Sequence, residues 1–176
     1  MPRYHTHEVF ASLFTIPLTY LYYKITRDLG ASAVFFISII FGVFFLSPDL
    51  DTKSKAYRRW SFLRFIWIPY MKLVKHRSFL SHFPVVSSII RSIYLTLSIA
   101  FISALIIYFL TAIFVFLGVE MKTKNFLLVL RESFFSTVHI LLDIDLKFLI
   151  AFLIGISSGD TIHMVLDIVS TKIKRT

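Results

Sequence analysis

The sequence predicts an all-α membrane protein with about four transmembrane helices and one interfacial amphipathic helix. Its 176 residues are 57% hydrophobic and include 20 Phe, and the mean hydropathy is +0.78. Soluble domains are about half apolar, so this composition favours a membrane protein. Because a membrane-spanning helix needs roughly 20 apolar residues, the length leaves room for about four spans and no second catalytic domain. We therefore expect residues 1–176 to form a single integral-membrane domain.

Four apolar segments are predicted to span the membrane. They are residues 9–24, 29–47, 93–117 and 146–169. The first is short and carries Pro17, and we expect it to be retained because it lacks the pattern of a signal peptide. Pro48 ends the second, since proline cannot continue a helix. The third contains no charged residue, which makes it the clearest of the four.

Residues 53–77 are predicted to lie on the membrane surface. Lys and Arg alternate there with Tyr and Trp, a mixture that suits the headgroup layer and anionic lipid. Trp60 and Trp67, seven residues apart, are expected to share one face of an amphipathic helix that Pro69 ends. Nine basic residues between Lys53 and Arg91 belong to this basic surface. Membrane lipid is the expected partner, and nucleic acid is not.

Residues 126–142 are apolar but carry Arg131 and Glu132. A charge in mid-bilayer costs at least ~2.5 kcal/mol on insertion scales, so we expect this segment at the opposite interface. His139 and Asp143, four residues apart, are interpreted as a solvated face. With four spans, thirteen of the nineteen Lys and Arg residues lie on the side of both termini. The positive-inside rule then places both termini in the cytoplasm, and we expect the protein in the inner (cytoplasmic) membrane.

The last predicted span carries three candidate metal ligands, Asp160, His163 and Asp167. At 100° per residue they fall within one 60° stripe of the helix. Ionisable residues in a membrane normally face the protein interior or a wet cavity, which favours a functional site. Gly155 and Gly159 form a small-xxx-small pattern that lets a neighbouring helix approach closely. The alternative is that His163 and Asp167 simply pair near water at a helix end.

Three further clusters precede these residues in the chain. Asp49 and Asp51 follow Pro48 in a segment expected to be extended, where residues i and i+2 point to the same side. Both carboxylates could then reach one ion or two adjacent ions, or they could be turn residues. His76 and His82 offer imidazole ligands or a general acid, or else two interfacial histidines. The members of these clusters are His7, Asp49, Asp51, His76, Arg77 and His82.

The order of these motifs resembles a known kind of protein. The motifs are Thr6-His7, Pro48-Asp49-x-Asp51, His76-Arg77-Ser78-x-x-Ser81-His82 and Gly159-Asp160-x-x-His163-x-x-x-Asp167. Together they resemble an uncharacterised family of small metal-binding membrane proteins, similar to the YdjM-like inner-membrane metal-dependent hydrolases. The resemblance implies metal binding and hydrolysis. A more distant resemblance is to zinc-dependent phospholipase C enzymes. The fuller set of zinc ligands in those enzymes is absent from this sequence, because no His follows Asp167.

The sequence thus suggests a metal-dependent hydrolase at the cytoplasmic membrane face, with phosphoester hydrolysis as the favoured reaction. The candidate ligands are His7, Asp49, Asp51, His82, Asp160, His163 and Asp167. His76 and Arg77 are the catalytic candidates, and Arg59 and Arg77 would hold an anionic lipid or phosphoester. A mixed His and carboxylate shell suits one or two divalent ions, Zn²⁺ or Mn²⁺. The alternative is a non-enzymatic membrane protein with a structural or transported ion.

Overall fold

The computed structural model describes residues 4–74, 83–118 and 126–173, with side chains for 8–74, 83–118, 127–140 and 143–169. These described residues form seven α-helices and two 3₁₀ helices and include no β-strand, which confirms the all-α class. The α-helices are α1 (Tyr4–Thr26), α2 (Leu29–Phe44), α3 (Lys55–Arg59), α4 (Trp67–Leu73), α5 (Pro84–Phe116), α6 (Phe126–Leu142) and α7 (Leu146–Ile173). The 3₁₀ helices are Pro48–Asp51 and Ser61–Ile66.

The four predicted spans correspond to α1, α2, α5 and α7, although the second and third extend past the helix ends at Phe44 and Phe116. In the described part of the chain, two helices are long and apolar enough to cross a membrane. They are Pro84–Phe116, with a mean hydropathy of 2.7, and Leu146–Val169, with 1.7. Helix α2 is apolar but has only 16 residues. Length and composition thus support two of the spans, and the four-span arrangement stays a prediction.

The chain forms two compact units. The first comprises Met1–Arg91 and Asp145–Thr176, and the second is Ser92–Ile144. Within the second unit, the hydroxyls of Ser103 and Thr137 lie 3.0 Å apart and join α5 to α6. All described candidate ligands belong to the first unit.

In the first unit, α2 packs against both α1 and α7. Its start is capped by Asp28, whose carboxylate accepts a hydrogen bond from the Ala31 N–H at 2.9 Å. The same carboxylate contacts Lys147 Nζ of α7 at 2.9 Å. The Ala31 N–H, and then Lys147, lower the pKa of Asp28 below its ordinary value. One side chain thus joins the starts of α2 and α7.

Glycines on α7 bring it very close to α2. A Cβ at Gly155 would lie 2.6 Å from Ser38 Cβ and 2.8 Å from the Phe35 carbonyl oxygen. A Cβ at Gly159 would lie 3.2 Å from Val43 Cγ2. The predicted small-xxx-small contact is therefore confirmed, because no other residue type fits at position 155 without moving the backbone.

The segment after Pro48 differs from its prediction. Residues Pro48–Asp51 form a 3₁₀ helix and are not extended. Proline restricts the residue before it, and Ser47 is accordingly extended with ψ 148°. Proline's own φ suits the first position of a helical turn. Successive side chains in a 3₁₀ helix rotate by about 120°, so Asp49 and Asp51 point in different directions.

The predicted interfacial helix is also different in the structure. Helices α3 and α4 are separated by the 3₁₀ helix Ser61–Ile66, and Ser61 has the left-handed φ of 49°. Pro69 does not end a helix, because it lies in the first turn of α4, where its missing N–H has no intrahelical partner to lose.

The tryptophan face expected to contact lipid points into the protein. Trp67 is fully buried, and its ring packs edge-on against Trp60 at 5.4 Å and Tyr70 at 5.5 Å. Burial of these rings removes more apolar surface from water than an interfacial position would. The most exposed apolar side chains of the segment are instead Phe62 and Leu73, at 77% and 79%.

Replacing Gly155 with Ala should destabilise the protein. The new Cβ would overlap Ser38 and the Phe35 carbonyl, and overpacking of this kind costs about 1–3 kcal/mol. That cost exceeds the roughly 1 kcal/mol that Ala gains in helix propensity. Gly30→Ala is the control, since its Cβ would meet only side-chain atoms, at 3.3 Å or more. Denaturant unfolding in detergent measures the difference, and equal stabilities for the two variants would contradict the close packing.

Tyr70 should make stability depend on alkaline pH. Burial, reinforced by the carboxylates of Asp51 and Asp160 and opposed by Arg91, raises its pKa to about 12. The unfolded phenol ionises near pH 10, so stability falls as the pH rises from 10 to 12, by roughly 3 kcal/mol. Tyr70→Phe should abolish this part of the decline, whereas Tyr20→Phe, at an exposed site, should keep it. Unfolding free energies at pH 9 and pH 12 provide the test, and parallel declines would contradict it.

Candidate metal centre

His163 lies between two carboxylates. Its Nε2 atom is 3.5 Å from Asp49 Oδ2 and 3.5 Å from Asp167 Oδ2. His163 and Asp167 are one helical turn apart on α7, and Asp49 comes from the 3₁₀ helix that follows α2. The imidazole is 17% exposed and the carboxylates of Asp49 and Asp167 are 28% and 46% exposed. The three side chains thus form a partly open polar cluster at one end of the α2–α7 pair.

The distances in this cluster suit metal ligands in part. A separation of 3.5 Å exceeds the usual N–H···O hydrogen bond of roughly 2.7–3.2 Å. Bonds of ~2.0–2.2 Å at tetrahedral angles keep neighbouring ligand atoms ~3.4 Å apart, close to the observed value. Yet the described residues contain no group of three or more His, Asp or Glu side chains that could hold an ion by itself. The described residues therefore do not form a complete metal site.

Asp160 lies inside the protein and is engaged by other residues. Its Oδ2 atom forms an ion pair with Arg91 Nη2. The same oxygen accepts hydrogen bonds from Ser88 Oγ at 2.6 Å and Ser87 Oγ at 3.4 Å. Its Oδ1 atom is buried and has no hydrogen-bond partner. Asp160 is thus held from α5 and does not join Asp49 and Asp167 around His163.

Arg91 corrects the sequence interpretation. The sequence places it with the basic surface, whereas its side chain is 0% exposed and pairs with Asp160 inside the first unit. Its Nε and Nη1 atoms have no hydrogen-bond partner. The partners are 69 residues apart, so local sequence could not reveal the pair.

Glu8 binds two residues that were predicted to lie on the basic surface. Its Oε2 atom contacts Lys55 Nζ at 3.2 Å, and its Oε1 atom forms an ion pair with Arg59. The Arg59 guanidinium also lies 4.6 Å from the centre of the Phe44 ring and donates to the Phe44 carbonyl at 3.4 Å. Arg59 therefore holds α3 against α1 and α2, and its role in binding substrate stays a prediction.

A small cavity lies between α1, α2 and α7. Its volume is about 10 Å³, close to the minimum of roughly 10–15 Å³ that admits one water molecule. Its polar wall residues are Glu8, Ser47, Asp160 and His163. Its two smallest wall residues are Ala11 and Gly159. The cavity thus adjoins the His163 cluster on the side of the buried Asp160.

The remaining candidates fall in other places. The side chain of His7, and all of His76, Arg77 and His82, lie outside the described residues. Asp51 is buried, and its charge acts on Tyr70. His139 and Asp143 are both exposed, and the solvated face stays a prediction.

Comparison with known proteins agrees with a metal-binding role. The family model described as "Uncharacterized metal-binding protein (DUF2227)" matches residues 2–176. A relative in Aquifex aeolicus (strain VF5), described as "Uncharacterized protein", is 34% identical over 142 residues, which make up 80% of this chain and 92% of that protein. No solved structure is significantly similar to the chain. The match over nearly the whole length shows that the chain belongs to the DUF2227 family of metal-binding proteins.

Proposed function

We propose that this protein is a membrane-embedded, metal-dependent hydrolase that cleaves a phosphoester or lipid-like substrate at the cytoplasmic membrane face. The observation that carries the proposal is the position of His163, 3.5 Å from both Asp49 and Asp167. One imidazole between two carboxylates is a donor set that suits Zn²⁺ or Mn²⁺ better than Mg²⁺ or Ca²⁺, which prefer oxygen alone.

Asp49, His163 and Asp167 are the proposed ligands from the described residues. His7, Asp51 and His82 are the further ligands proposed from the sequence, and His76 and Arg77 are the proposed catalytic residues. When bound, one or two divalent ions supply Lewis acidity and an activated water. The open side of the cluster, where Asp167 is 46% exposed, gives a substrate access to the three ligands.

A lipid-like substrate is supported by the surface around the first unit. Arg58, Arg64 and Lys72 are exposed on α3, α4 and the 3₁₀ helix between them, next to the exposed apolar side chains of Phe62 and Leu73. Basic residues beside exposed apolar ones suit an anionic membrane surface. The two long apolar helices support a membrane location, and the resemblance to YdjM-like hydrolases supports hydrolysis.

His163→Ala should remove the bound metal. The variant loses the one nitrogen donor between the two carboxylates, so we expect at least a tenfold loss of Zn²⁺ affinity, in the range found when the surroundings of a metal ligand are altered. His139→Ala is the matched control, because His139 has an aspartate four residues later but lies exposed in the second unit. Elemental analysis of the purified, reconstituted proteins measures the metal. Equal metal content in the two variants would refute the site.

The reaction is tested by turnover. Zn²⁺- or Mn²⁺-loaded protein should hydrolyse phosphoesters, tested on lipid phosphates and generic phosphoesters, and Asp49→Ala and Asp167→Ala should each lose that activity with their metal. Asp143→Ala should remain as active as the natural protein, since its side chain is exposed. If the bound metal raises thermal stability but the protein shows no turnover, the hydrolase proposal is wrong and the ion is structural.

A further inference from the structure

One oxygen of the Asp160 carboxylate is held firmly and the other is available. Arg91, Ser88 and Ser87 all contact Oδ2, whereas Oδ1 is buried without a hydrogen-bond partner. The residue is 2% exposed, so bulk water does not solvate Oδ1. A buried, unpaired carboxylate oxygen costs several kcal/mol unless another group satisfies it. Oδ1 therefore needs a hydrogen-bond partner, and the described side chains do not supply one.

The cavity of about 10 Å³ beside Asp160 can hold such a partner. Its size admits one water molecule, and its polar walls from Glu8, Ser47 and His163 supply the two to four contacts that a buried water needs. A larger ligand does not fit there.

The local charges favour a neutral occupant. The two carboxylates at the cavity are already paired, Glu8 with Lys55 and Arg59 and Asp160 with Arg91. Because Glu8 and Asp160 are each already neutralised by a cation, neither draws a further cation into the cavity itself. The carboxylates in the wall oppose an anion in the same way. A water molecule is neutral, so neither the cations nor the carboxylates around the cavity oppose its binding.

We propose that this cavity binds one water molecule, which links Oδ1 of Asp160 to the imidazole of His163 and so positions His163 for the metal. This inference rests on the metal centre proposed above. It gives Asp160 the role of a positioning residue in place of the ligand role predicted from the sequence. Arg91 acts one step further away, because it keeps Oδ2 occupied and leaves Oδ1 for the water.

This arrangement follows a common property of metal sites. A histidine that binds a metal through one ring nitrogen usually donates its other N–H to a carboxylate, a carbonyl or a water, which fixes the ring and its tautomer. His163 directs Nε2 toward Asp49 and Asp167, and the residue also lines the cavity. The water would thus support the ring from the side away from the metal.

Filling the cavity tests this proposal without changing any charge. Ala11 is 2% exposed and lines the cavity, so Ala11→Val places two methyl groups where the water would lie. Ala31→Val is the matched control, because Ala31 is equally buried in the α1–α2–α7 core but does not line the cavity. Zn²⁺ affinity of the full-length protein in detergent is measured by competition with a chromogenic chelator, alongside the melting temperature of each variant.

Ala11→Val should weaken Zn²⁺ binding by roughly 10–100-fold, the usual effect of disturbing the partner of a metal-bound histidine. Ala31→Val should leave the affinity unchanged. Equal affinities in the two variants, whether lowered or natural, would overturn the proposal. If Ala11→Val does not fold, Val43→Ile decides in its place, because Val43 also lines the cavity and the change adds one methylene.

The two proposals can fail separately. If His163→Ala loses Zn²⁺ while the two cavity variants bind it like the natural protein, the water site is wrong and the metal centre stands. If the natural protein binds no Zn²⁺, both are wrong.

Discussion

The close approach of α2 to α7 is the contact on which the site depends. Gly155 and Gly159 let the backbone of α7 come so near to α2 that a Cβ at position 155 would overlap Ser38. Because the two helices lie side by side, the 3₁₀ helix that leaves the end of α2 begins beside the last turns of α7. Asp49 is thereby placed 3.5 Å from His163, although 114 residues separate them in the chain.

A second constraint is the buried pair of Arg91 and Asp160. Burial of two charges is expensive, and a buried ion pair seldom adds net stability compared with apolar residues of the same size. Breaking such a pair is costly, however, so it determines which way both side chains point. Here the pair attaches the start of α5 to α7 through Oδ2 of Asp160, with Ser88 completing the contact. Its value to the protein is orientation of the carboxylate beside the candidate site.

The basic excess of the chain has two uses. Several cations neutralise carboxylates within the first unit, as Arg59 and Lys55 do for Glu8 and Lys147 does for Asp28. Others, such as Arg64 and Lys72, are exposed and remain available to an anionic surface. A count of charges along the sequence cannot separate these uses, because each internal pair joins residues far apart in the chain.

The sequence by itself determined the helices and the local relations within them. The long apolar segments, the glycine pair at positions 155 and 159 and the pairing of His163 with Asp167 all follow from helical periodicity, which depends on neighbours a few residues away. Tertiary structure decided the rest. It turned Trp67 inward, paired Arg91 with Asp160, and brought Asp49 to His163, because burial and ion pairing depend on partners that only the packed chain brings together.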